Sequence, residues 1–164
     1  MKKLLFILTA LFICNGTFAQ KDSTIPVYER FPTIPQFTLY KAPDSTVFTR
    51  QNLQKRKPVM FMIFSPDCEH CQHETEMLLA DINKFKNVQI IMVTYLPYQD
   101  MIAFYKHYKI ANYPEITMAR DTKYYLPQFF KIRNLPSIFV YDKKGNFKKS
   151  FEGSVNPDLI SEEL

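Results

Sequence analysis

Cysteine is scarce in this sequence. Three stand among 164 residues, at positions 14, 68 and 71. A small exported domain that uses disulfides as its framework carries several pairs at wider spacing, so this chain is not built that way. Tryptophan is missing altogether. Beyond residue 20 there is no apolar run long enough to span a bilayer, no internal repeat and no low-complexity tract. Excess charge is small as well: 21 Lys and Arg against 16 Asp and Glu give +5. The basic residues are scattered, apart from Lys55-Arg56-Lys57, Lys143-Lys144 and Lys148-Lys149. These read as solvated turn and edge residues, which argues against a nucleic-acid partner.

The first twenty residues read as an address. Lys2 and Lys3 form a positive start, Leu4 to Ile13 an apolar stretch, and Thr17-Phe18-Ala19 a small-residue cleavage site before Gln20. This is the pattern of a cleaved secretory signal over residues 1–20 and is too short for an ordinary membrane anchor. Cys14 raises lipidation as an alternative, but Ile13 stands where that cleavage wants a small residue. The expected location is periplasmic or secreted. Without the signal the net charge falls to +3 and only Cys68 and Cys71 remain.

Those two cysteines lie three apart, in Phe61-Met62-Ile63-Phe64-Ser65-Pro66-Asp67-Cys68-Glu69-His70-Cys71. The apolar run before them reads as a strand buried on both faces. The residues after them take a helical period, with Met77, Leu78, Ile82 and Phe85 on one face. The thiols therefore stand at a helix N-terminus, where unpaired N–H groups and the helix dipole favour a thiolate. A thiolate is the species that attacks a disulfide. A bond closing so small a loop would stabilise the fold little by chain entropy. The pattern points to thiol–disulfide exchange.

About 144 residues follow the signal, enough for one domain that buries roughly two-thirds of its unfolded surface. Residues 21–35, with Pro26, Pro32 and Pro35, read as an extended N-terminal arm, and 36–164 as the domain. Phe37 to Tyr40 and Val47-Phe48 read as short strands, Pro58 to Phe64 and Val88 to Thr94 as buried ones. Gln99 to Tyr108 is a second helix, Ile116 to Met118 a short extended piece, and Tyr124 to Ile132 a helix carrying Pro127. Ser137 to Tyr141 and Phe147 to Phe151 form a hairpin about Gly145, and Asn156-Pro157 starts a final short helix. The order β-α-β-α-β-β-α gives an α/β fold: a mixed sheet flanked by helices, with an antiparallel hairpin at one edge.

Four features together resemble the thioredoxin-fold thiol–disulfide oxidoreductases, in particular the secreted TlpA/ResA type. They are the buried strand leading to Cys68-Glu69-His70-Cys71, Glu74 three residues on, the segment Phe130 to Val140 with Pro136, and the terminal hairpin Tyr141 to Phe147. The similarity covers roughly residues 36 to 160. It implies a thioredoxin-like fold with an N-terminal extension, and a cis Pro136 facing the cysteines. It also implies a couple that acts as a reductant of protein disulfides, with no cofactor and no resident metal. Departures are Asp67 where the family commonly has Trp, and Asn134 where it often has Gly.

Cys68 precedes the helix and is the expected nucleophile; Cys71, one turn in, is the resolving thiol. His70 between them favours the Cys68 thiolate when protonated, against Asp67 and Glu69, or is an exposed bystander. Glu74, by resemblance, tunes protonation in the second exchange; a first-turn carboxylate also simply complements the dipole. Leu135, ahead of Pro136, offers backbone to an extended substrate. The expected partners are disulfide-containing proteins and a membrane or periplasmic electron donor, with the chain itself a monomer. Two rival readings remain beside a third, a non-catalytic binding module of the same fold, which the two intact cysteines argue against. One is a soft-metal module, copper or zinc, using Cys68, Cys71, His70 and His73. The other is a peroxiredoxin-like peroxidase, although Pro66 and Asp67 occupy the place where that chemistry wants a nearby Thr.

Overall fold

A computed structural model describes residues 25–164. The expected signal segment and Cys14 lie outside the described residues. Seven strands form one sheet in the spatial order β2-β1-β5-β4-β3-β6-β7. They are β1 (Thr38–Lys41), β2 (Val47–Thr49), β3 (Val59–Ile63), β4 (Gln89–Thr94), β5 (Ile116–Arg120), β6 (Ser137–Tyr141) and β7 (Phe147–Glu152). Among the described residues five α-helices accompany them: α1 (Val27–Arg30), α2 (Glu69–Ala80), α3 (Tyr98–His107), α4 (Tyr125–Phe130) and α5 (Pro157–Ser161).

β3 sits inside the sheet and every one of its residues is buried. Its side chains alternate between two cores, as the two-residue period of a strand requires. Met60 and Met62 join Leu78 of α2, Met101 and Phe104 of α3 and Ile160 of α5. Val59, Phe61 and Ile63 join Leu126 and Phe130 of α4 on the opposite face. That second core is rich in rings; Phe130 stacks on Phe139 with centroids 3.9 Å apart. β3, β4 and β5 run parallel through α2 and α3, whereas β6 pairs antiparallel with β3 and β7 antiparallel with β6.

The order of elements exceeds the expected one by a strand and a helix. Residues 116–120 pair along their whole length with β4, and α4 follows them. The long helix expected to run through Phe85 ends at Ala80. Asp81 leaves helical geometry (φ −102°, ψ 17°), and a 3-10 turn, Ile82–Phe85, carries Phe85 into the core. The final helix begins as expected, with the Asn156 side chain accepting from the Asp158 N–H at 2.9 Å. Among the described residues two peptide bonds are cis, Ala42–Pro43 and Leu135–Pro136.

The segment read as an extended arm is not wholly extended. α1 is a single turn within it, and Tyr28 of that turn is buried. Its ring meets Phe139 and Phe147 edge-on at 5.1 Å each. Ile34 is buried as well, and the Ile34 N–H donates to the Gly145 carbonyl at 3.0 Å. The arm thus closes the second core. Tyr28→Ala should destabilise the protein by about 3 kcal/mol, as truncating a buried aromatic does. Urea denaturation reads this directly; an unchanged midpoint would mean that the arm rides on a domain complete without it.

Candidate functional site

The antiparallel pairing of β6 with β3 builds the site. Ile63 stands opposite Ser137. The chain leaving β3 and the chain entering β6 therefore lie side by side at one end of the sheet. The first carries Ser65 to Cys71, the second Asn134 to Pro136. Residues 67 apart in sequence become neighbours: the Cys68 thiol approaches the Leu135 carbonyl at 3.9 Å.

Cys68 is the N-cap of α2, with extended backbone (φ −89°, ψ 116°). Its carbonyl accepts from the N–H groups of Cys71 and Gln72, both at 3.0 Å. The Glu69 and His70 N–H groups have no partner among the described residues. They and the helix dipole stand at the end of α2 that carries the Cys68 sulfur. Cys68 is partly exposed, while Cys71 is wholly buried, and both are free thiols. Burial pushes the Cys71 thiol far above its ordinary value, and the neighbouring Cys68 pushes the same way. The Ser65 N–H, 3.5 Å from the Cys71 sulfur, opposes this by favouring the thiolate. Ser65 was legible in the sequence only as the end of a strand. Its role follows from where the loop turns, as does its hydroxyl's hydrogen bond with the Asp67 carboxylate.

The other residues singled out divide into two groups. Leu135 and Pro136 lie beside Cys68, and the Leu135 N–H has no partner among the described residues. Asn134, in the place where glycine was expected, donates from its side chain to Glu152 of β7 at 3.0 Å. The His70 side chain is exposed and makes no hydrogen bond or ion pair among the described residues. His73 is exposed too. Among the described residues no group of three or more His, Cys, Asp and Glu side chains stands where it could hold a metal ion.

Glu74 is placed differently from a simple first-turn surface carboxylate. It is 1% exposed. Its Oε2 accepts from the Val155 N–H at 2.7 Å and the Ser154 hydroxyl at 3.1 Å, which ties α2 to the segment after β7. Its Oε1 is buried without a hydrogen-bond partner among the described residues. Three residues along a helix from Cys71, it shares that residue's face. The partners Ser154 and Val155 carry no motif and come from 80 residues away, so sequence reasoning had no route to them.

Burial holds the Glu74 carboxyl above its ordinary value, outweighing the two hydrogen bonds that pull it down. The fold therefore favours the neutral acid. That contribution is complete below the ordinary value of 4.5 and is lost as pH rises through the higher folded value. Across this interval the Tm of the wild type should fall relative to that of Glu74→Gln. A constant difference from about pH 4 to about pH 8 would mean that the folded carboxyl titrates as it does in water.

A family model described as a thioredoxin-like domain matches residues 49–164. No curated protein matches the sequence. Solved structures do. A secreted Mycobacterium tuberculosis disulfide oxidoreductase homologous to E. coli DsbE superposes with a TM-score of 0.65 at 17% identity, covering 78% of this chain and 93% of that one. StoA from Bacillus subtilis superposes at 0.58 with 18% identity, covering 80% of this chain and 98% of that one. At such identities the likeness to these structures is one of fold. With a match over residues 49–164, a mixed seven-stranded sheet flanked by helices, and a Cys-x-x-Cys capping α2, the chain belongs to the thioredoxin-like domain family.

Proposed function

We propose that this protein is an exported thiol–disulfide oxidoreductase, cleaved after a signal over residues 1–20, that reduces disulfides in other proteins through Cys68 and Cys71. One observation carries the reading. A partly exposed thiol caps a helix beside the Leu135 backbone, and a second, buried thiol stands one turn behind it.

The chemistry balances as follows. The Cys68 thiolate attacks one sulfur of the substrate disulfide; that S–S bond breaks, a mixed disulfide forms, and the first substrate thiolate leaves. Cys71, once deprotonated, attacks the Cys68 sulfur. The mixed disulfide breaks, the second substrate thiolate leaves, and the Cys68–Cys71 disulfide remains. Two electrons have passed to the substrate. A dithiol donor in the membrane or periplasm restores the pair.

The neighbours take distinct roles in this scheme. The free N–H groups of Glu69 and His70 support the Cys68 thiolate, and a protonated His70 adds to them. The Ser65 N–H supports the Cys71 thiolate when its turn comes. Glu74, buried on the Cys71 face of α2 with one oxygen unpartnered, takes up and returns the Cys71 proton. The Leu135 N–H pairs with the extended backbone of the substrate next to its cysteine, and Pro136 has no N–H to obstruct it. The protein works as a monomer of residues 36–164 with the arm packed on it.

Three measurements test this. The protein should accelerate insulin reduction by dithiothreitol, and Cys68→Ser should abolish the effect. Cys71→Ser, expressed in the native compartment, should accumulate mixed disulfides that dithiothreitol dissolves. Activity persisting in Cys68→Ser would remove Cys68 as nucleophile. The equilibrium potential of the pair should be that of a reductant, well below about −120 mV; a value near that figure would make it an oxidant instead.

A further inference from the structure

A groove of about 670 Å³ opens directly against the loop before Cys68. Pro66 and Asp67 form one wall and the exposed side of α3 the other. Its apolar lining is Leu96, Phe104 and Tyr108, with the Phe104 and Tyr108 ring centroids 4.4 Å apart. Its rim carries the exposed carboxylates of Asp67 and Asp100. In a chain with 21 Lys and Arg, the groove is lined by none of them; His107 is its one basic side chain. A third carboxylate, Glu76, faces the Tyr108 hydroxyl: behind burial, it helps push that phenol's pKa up.

We propose that this groove selects substrates, receiving a lysine or arginine side chain that flanks the substrate cysteine. The inference rests on the exchange activity proposed above. A long basic side chain has the two parts that the groove matches. Its aliphatic stem lies on Leu96 and the two rings, and its charged head reaches the carboxylates. A guanidinium can also stack on the half-buried Tyr108 ring. Position fits as well. Asp67 adjoins Cys68 in sequence, so a substrate whose cysteine meets Cys68 holds its flanking residues over the groove. Leu135 belongs to the segment entering β6 and does not line the groove, which stays free for side chains. An acidic flank meets the same carboxylates and is repelled, so the groove discriminates by sign.

The test uses three peptide disulfides with a fluorophore and quencher on either side of the bond. They are identical except for Arg, Gln or Glu beside the cysteine. The reduced protein should react with the Arg peptide about tenfold faster than with the Glu peptide, with Gln between them. Asp100→Lys, on α3 and outside the thiol machinery, should collapse or invert that ratio. Glu162→Lys makes the same charge change at the C-terminal end of the chain and should leave the ratio intact. Reduction of neutral hydroxyethyl disulfide should be alike in all three proteins. Equal rates for Arg and Glu peptides, or the same ratio in Asp100→Lys as in Glu162→Lys, would overturn the inference while leaving the exchange activity standing. Loss of hydroxyethyl disulfide reduction as well would instead count against the exchange activity. In that event, anisotropy titration with the peptides carrying Ser for Cys still decides the groove: tighter binding of the Arg form supports it and equal binding rejects it.

Discussion

The site depends on a single pairing, that of β6 against β3. Five backbone pairs, from Val59 with Tyr141 to Ile63 with Ser137, hold these two strands antiparallel inside the sheet. Because they run in opposite directions, the end of one lies beside the start of the other. The cysteine loop and the Pro136 segment are therefore brought together by strand register, and a slip of one residue would turn every side chain of β6 to the wrong face. The aromatic core guards that register. Phe61 sits between Phe37, Phe130 and Tyr141, and Phe139 stacks on Phe130. The arm adds Tyr28 to the same cluster. Packing far from the thiols thus determines where Leu135 stands relative to Cys68.

The two cysteines are chemically alike and made unlike by position. Cys68 ends the loop and caps the helix, so it keeps contact with solvent and with the open N-terminus of α2. Cys71 falls with Leu78 on the helix face that packs against Met60 and Met62, so it is dry. A buried thiol resists ionisation, so the proposed exchange begins at the exposed sulfur and the buried one follows. Glu74 continues that face by one turn. Its hydrogen bonds to Ser154 and Val155 tie the segment after β7 to the helix bearing the thiols. A buried carboxyl with one satisfied oxygen and one orphan is unfavourable for the ionised form, which is why burial outweighs its two hydrogen bonds.

Periodicity and motif carried the sequence reading far. An apolar run of β-branched, aromatic and Met residues ending at Ser65-Pro66 marked the buried strand, and Cys68 to Cys71 marked the helix start. Asn156-Pro157 marked the last helix, and Gly145 the hairpin. These are local signals, set by a few adjacent residues. Where the reading slipped, the cause was not local. The extended look of residues 21–35 hid a helical turn because Tyr28 is ordered by rings on β6 and β7 rather than by its own neighbours. Residues 116–120 were undercounted as a strand because their pairing partner, β4, supplies the order.

By itself the sequence determined the chemistry: two thiols at a helix N-terminus, with a proline segment of the thioredoxin kind 65 residues further on. Strand alternation and helix period also determined the fold class, since each apolar face needs a layer to cover it. Only the tertiary structure decided which atoms meet. It placed the Leu135 carbonyl by the Cys68 sulfur, the Ser65 N–H by the Cys71 sulfur, and the Ser154–Val155 segment on Glu74. It also closed α3 against the Pro66-Asp67 loop to make an acid-rimmed groove. The reason is physical. A helix or a strand is specified by contacts within a few residues, whereas a site joins segments whose separation in sequence is bridged by register and packing alone.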